Sequence, residues 1–188
     1  RAGLIVVAVV TALAANAVTI PFIEQVLQPQ AWLSHTSAIT RIVGYTLSVG
    51  VTTEFTKYLV VRYSIWPARI ETRMDGLAYA IAARIGFVTV WNLRAVFGPQ
   101  ETLDALAIVV FDTTITGLAG GLVIGYGLSE MALGQPSPFI GPLSLALAAL
   151  VHGVAIPLRT GLVNASFSLG GGSALLLLGV GISAGLIV

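Results

Sequence analysis

Residues 3–22 read GLIVVAVVTALAANAVTIPF, twenty positions without a charged side chain. At about 1.5 Å per residue, such a run makes a helix long enough to cross the hydrocarbon core of a bilayer, about 30 Å thick. The same pattern recurs along the chain, with candidate spans at about 37–62, 75–97, 101–126, 141–163 and 172–188. The breaks fall where the chemistry of turns puts them: Pro21, Trp66-Pro67, Gly98-Pro99, Gly134-Gln135-Pro136-Ser137-Pro138 and Gly170-Gly171-Gly172. The stretch 24–35, with Pro29, reads as a loop or interfacial turn anchored by Trp32. The expected fold is therefore all-α, a polytopic transmembrane bundle of about six spans, forming one helical domain over 1–188. The chain opens at Arg1 rather than Met, and Val188 falls inside an apolar run, so both termini read as incomplete.

Composition excludes the main alternatives. Hydrophobic residues make up 56% of the 188 positions and charged residues only 9%, with a mean hydropathy of +0.96. A soluble domain carries about 25% charged residues, so this chain lacks the polar surface to cover its apolar side chains in water. Lipid is the expected covering partner. The nine basic residues are dispersed and the net charge is +1, which gives no basic stripe for nucleic acid. There is no cysteine, so disulfides, thiolate zinc sites and thiol catalysis are all excluded.

Basic residues in short loops orient a membrane protein. Arg62, Arg69 and Arg73 crowd the connection between the second and third spans, which assigns the loop 63–74 to the cytoplasmic side, with a bacterial inner membrane as the expected location. Asn164-Ala165-Ser166 matches a glycosylation acceptor and reads as an ordinary turn. Gly117, Gly121 and Gly125, like Gly181 and Gly185, recur every four residues. Such rows let helices approach closely where lipid supplies no hydrophobic push.

Ionisable groups at depth cost about 2.5–3.5 kcal/mol each on insertion scales, so each asks for an explanation. They are Glu54 and Lys57 in the second span, Arg84 in the third, Asp112 in the fourth and His152 in the fifth, with the amide of Asn92 beside them. Counted along the helices, Glu54, Asp112 and His152 lie roughly 12–16 Å from the cytoplasmic side, on one level. Asn92 lies nearer the outer surface, and Lys57 is close enough to an interface to snorkel. Two accounts are open: the polar groups satisfy one another as glue, or they form a buried site with a working carboxylate and imidazole. Thr52, Thr53, Thr56, Thr113, Thr114 and Thr116 crowd the same stretches, where hydroxyls bond to neighbours or back to their own helix.

In this order, these stretches resemble the PrsW family of intramembrane proteases, distant relatives of the CAAX prenyl protease and bacteriocin-processing membrane enzymes. Asp75-Gly76-Leu77-Ala78-Tyr79, Gly86-Phe87 and Asn92 are similar to the family's Asp-Gly-x-x-Tyr-Gly, Gly-Phe-Ala and Glu-Asn. Glu54-Phe55-Thr56-Lys57 resembles its Glu-Glu-x-x-Lys, Thr116 and Gly120 the Thr and Gly after its first histidine, and His152-Gly153 its second His-Gly. The resemblance covers about 45–160. It departs at Thr53, where the family has the first glutamate of the pair, at Trp91 for the glutamate before asparagine, and at Asp112 for the first histidine. Arg84 stands where the family has a small residue.

The resemblance implies Glu54, His152, Asn92 and Asp112 as a remnant catalytic set, supported by Lys57, Asp75 and Thr116. Groups that cooperate in catalysis lose most of their effect when one is missing. The expectation is the protease fold without efficient hydrolysis, in a binding or structural subunit that partners other membrane proteins. The alternatives are an active endopeptidase, in which Glu54 activates water and Asp112 orients His152, and a proton or solute pathway through the same level. No cofactor is expected; one His, one Glu and one Asp could ligate zinc in principle, but the family pattern does not place them so.

Overall fold

The computed structural model describes residues 2–65, 68–98, 102–134 and 137–164. Among them the helices are α1 (Ala2–Ala14), α2 (Pro29–Leu33), α3 (Ala38–Tyr45), α4 (Val51–Ser64), α5 (Arg73–Val96), α6 (Leu103–Leu133) and α7 (Ile140–Asn164). There is no strand among the described residues. Four helical stretches, Ala2–Leu33, Arg73–Val96, Leu103–Leu133 and Ile140–Thr160, are long and apolar enough to cross a membrane. The expected span 172–188, its Gly181 and Gly185, Gly170-Gly171-Gly172, Ala165-Ser166 and Trp66-Pro67 lie outside the described residues.

The second span is a helix of a different kind. From 38 to 64 the chain runs unbroken through α3, a π-helical turn at Thr46–Gly50 and α4, with right-handed helical torsions at both joins. Arg41, Glu54, Lys57 and Arg62 lower its hydropathy. Its polarity points inward: Thr53, Glu54, Lys57 and Val61 are buried, while Leu47, Val51 and Phe55 face out. That inversion suits a helix whose outer solvent is lipid.

Two boundaries differ from the sequence reading. The first helix does not close at Pro21. A π-helical turn at Ala15–Thr19 widens the helix just before it, Pro21 keeps helical torsions, and a second π turn carries the chain to Leu27. The wider turn relieves the clash a proline ring makes with the carbonyl four residues earlier. The break comes at Gln28, whose left-handed backbone (φ 43°) precedes the short helix Pro29–Leu33. Most of 24–35 is thus helical, and exposed Trp32 donates from Nε1 to the Leu27 carbonyl at 2.9 Å. The fourth span runs to Leu133, two turns beyond Tyr126, and ends on the Gly134 N–H bonded back to Glu130.

Missing side chains set the closest packing. A Cβ on Gly86 would strike the Ala8 carbonyl where α1 crosses α5, and one on Gly125 would lie 2.7 Å from the Leu77 Cα where α6 crosses α5. One on Gly50 would meet the Ala149 carbonyl of α7. These crossings draw α4, α5, α6 and α7 around a common interior. At one end Arg73 Nε meets Glu130 Oε1 at 2.8 Å, and Ser129 Oγ donates to the Arg73 carbonyl.

Candidate functional site

Glu54 sits at the centre of that interior, 1% exposed. Its Oε1 takes three groups from three helices. Lys57 Nζ, one turn on along α4, donates at 2.6 Å. Arg84 of α5 donates through Nη1. His152 of α7 brings Nδ1 to 2.9 Å, close in distance but outside hydrogen-bond alignment. Oε2 has no hydrogen-bond partner among the described residues. Lys57 is buried rather than snorkelling, and its ammonium also lies 5.0 Å above the centre of the Phe87 ring. The depth count missed this because a buried carboxylate one turn away is a nearer partner than the interface.

The second contact of Arg84 fixes the state of the histidine. Its Nη2 lies 2.8 Å from His152 Nε2. A guanidinium only donates, so Nε2 must accept, and a neutral ring then carries its proton on Nδ1, facing Glu54. Arg84 thus engages Nε2, while Nδ1 lies near Glu54 Oε1 without an aligned hydrogen bond.

Two glycines of α6 make room for these charges. A Cβ on Gly117 would stand 2.7 Å from Arg84 Nε, and one on Gly120 would stand 3.2 Å from Glu54 Oε1. Gly121, the next residue, faces α5 with ordinary contact distances. The glycine row therefore packs helices, as its spacing suggests, and also forms one wall of the site.

The other expected members are placed apart. Asp112 does not reach the histidine: its Oδ2 lies 3.6 Å from Arg159 Nη1 and its Oδ1 accepts from Thr116 at 3.3 Å. The ring nitrogens of His152 face Arg84 and Glu54, not Asp112. Asp112 and His152 do share a cavity of about 40 Å³, lined also by Thr53, Arg84, Thr116 and Arg159. Asn92 accepts from Thr113 Oγ1 at 2.6 Å, about 12 Å along α5 from Arg84. Asp75 caps α5: its Oδ2 accepts from the Thr72 N–H at 2.7 Å, and the Thr72 hydroxyl accepts from the Asp75 N–H. Thr52, Thr53, Thr56 and Thr114 donate to carbonyls of their own helix.

Two residues of the site escaped the expected set. Arg84 showed as a charge at mid-span on a position where a small residue was anticipated, which is the signal for a built-in partner. Arg159 lies seven residues after His152, two turns along the same face of α7, and that spacing could have found it.

Fold and site together define a polytopic helical membrane protein with a buried carboxylate–guanidinium–imidazole cluster drawn from three helices. A family model described as PrsW family intramembrane metalloprotease matches residues 1–154. The chain belongs to that family. Glu54, Arg84, Asn92, Asp112 and His152 all fall within the match; Arg159 falls beyond it. Comparison with curated proteins and with solved structures gives no match.

The description implies a metal ion, and the residues present do not fit one. No group of three or more His, Cys, Asp or Glu is placed to hold a metal among the described residues. Glu54 and His152 supply two donors where a catalytic zinc commonly uses three protein ligands. The one available nitrogen lone pair, on Nε2, faces Arg84, and Lys57 adds a second cation at the same carboxylate.

Proposed function

We propose that this chain is a non-hydrolytic member of the PrsW family, a binding or structural component of a membrane assembly. The observation that carries the reading is the Arg84 guanidinium, which takes both the Glu54 carboxylate and the His152 Nε2. A general base needs a lone pair free to take a proton from water. Here the imidazole lone pair accepts from arginine, and Glu54 Oε1 is shared between two buried cations. Asn92 and Asp112, the remaining members of the remnant set, have their own partners elsewhere. A cluster that joins three helices, with its imidazole lone pair and one carboxylate oxygen committed to buried cations, suits holding a bundle together.

The positive-inside pattern supports a cytoplasmic loop 63–74, and the lack of basic stripes supports partners that are membrane proteins rather than nucleic acid. The test is reconstitution of the full chain in lipid with a panel of single-span substrates. No cleavage above that of the His152→Ala variant is expected. Turnover that disappears in Glu54→Gln or His152→Ala would establish the endopeptidase instead.

A further inference from the structure

A carboxylate oxygen and an imidazole lone pair, aimed from two helices at one positive centre, are the donor arrangement of a metal site. In this chain the positive centre is a side chain. Glu54 Oε1 faces Nη1 of Arg84 and His152 Nε2 faces Nη2 at 2.8 Å. The guanidinium is 2% exposed, and the missing Cβ of Gly117 makes the space its Nε occupies.

We infer that Arg84 is an internal replacement for the family's metal ion. Its guanidinium stands between Glu54 and His152, where those two donors would face a metal, joins α4, α5 and α7, and keeps a divalent cation out. The planar fork gives each donor a separate N–H, so one residue satisfies two groups that a metal would otherwise bridge. Lys57 completes the substitution: with Arg84 it brings two positive charges to the site, the charge of a divalent ion, on groups that cannot dissociate. The inference rests on the non-hydrolytic reading and deepens it.

The test is the metal content of the full chain in nanodiscs, equilibrated with Zn²⁺ and then with Co²⁺. The wild-type chain is expected to retain no more metal than its His152→Ala variant, which controls for His35. Arg84→His removes the guanidinium and offers a third donor beside Glu54 and His152. That variant is expected to take up about one Zn²⁺ per chain, and to lose it when His152→Ala is added. Wild-type uptake that His152→Ala abolishes overturns the inference, and so does an Arg84→His protein that folds and binds none. If Arg84→His accumulates only when Zn²⁺ is supplied, the replacement stands; if it fails to accumulate with or without Zn²⁺, the replacement falls. Metal content and cleavage separate the two claims. A metal-free wild type that cuts substrate sinks the functional reading alone, and a zinc-loaded wild type that cuts nothing sinks the replacement alone.

Discussion

His152 Nε2 and the Arg84 guanidinium, 2.8 Å apart, are joined across 68 positions of chain and two helices. The contact takes the one basic atom the imidazole has, and with it the simplest route to proton abstraction in this bundle. It also makes the stability of the fold depend on charges in an unequal way.

The inequality gives the first prediction. Replacing Arg84 by Met leaves Glu54 still neutralised by Lys57, whereas replacing Glu54 by Ala leaves Arg84 and Lys57 facing each other unpaired. Breaking a buried pair commonly costs about 3–5 kcal/mol. Glu54→Ala should fall in or above that range and Arg84→Met below it. Thermal unfolding in detergent reads the order, and equal losses would show that Lys57 does not compensate.

The α6 glycines make a second, sharper contrast. Gly117→Ala forces a Cβ to 2.7 Å from Arg84 Nε and 3.0 Å from Val88 Cγ2, whereas Gly121→Ala meets nothing nearer than 3.6 Å. Overpacking should cost Gly117→Ala about 1–3 kcal/mol. Gly121→Ala should be neutral or gain up to about 1 kcal/mol from helix propensity. The melting temperatures of the two variants, four residues apart on one helix, decide it.

Asp112 supplies a third. Its partner Arg159 stands 3.6 Å away and both side chains are partly exposed, so Asp112→Asn should cost less than about 1 kcal/mol. The His152 ring, held by Arg84 and Glu54, should keep its proton on Nδ1. Nitrogen-15 chemical shifts of the imidazole in wild type and variant make the comparison; a tautomer that flips in Asp112→Asn would restore Asp112 to the histidine's side.

Orientation is open to a direct check because the chain has no cysteine. A single cysteine at exposed Tyr63 or Met74 should react with an impermeant thiol reagent only from the cytoplasmic face of sealed vesicles. Labelling from the opposite face would invert the assignment of loop 63–74.

Much of this architecture was legible in the residues, and the limits have a physical pattern. Apolar length alone located Ala2–Leu33, Arg73–Val96, Leu103–Leu133 and Ile140–Thr160 to within a few turns. Counting depth brought Glu54 and His152 to one level, and they do meet. The count misplaced Asp112: α6 sets Gly120 beside Glu54 and Thr113 beside Asn92, so Asp112 lies about 12 Å along the helix from the glutamate's level and pairs with Arg159. Nor does counting show reach: Arg84 extends a long side chain from α5 to residues on both α4 and α7. Pro21 misled because a proline breaks an ordinary α-helix, and the π turn before it is not written in any local residue preference.

The inward-facing polarity of the helix 38–64 bears on how the protein is made. As it leaves the ribosome, this segment holds a glutamate and a lysine paired with each other, while Arg84, the next partner of the glutamate, lies thirty residues beyond it. A charged side chain at depth opposes entry into lipid by about 2.5–3.5 kcal/mol, which the Glu54–Lys57 pair offsets only in part. The segment is a poor passenger by itself and a better one beside α5, so the contacts favour entry of these two helices as a hairpin, with the α7 histidine joining them afterwards.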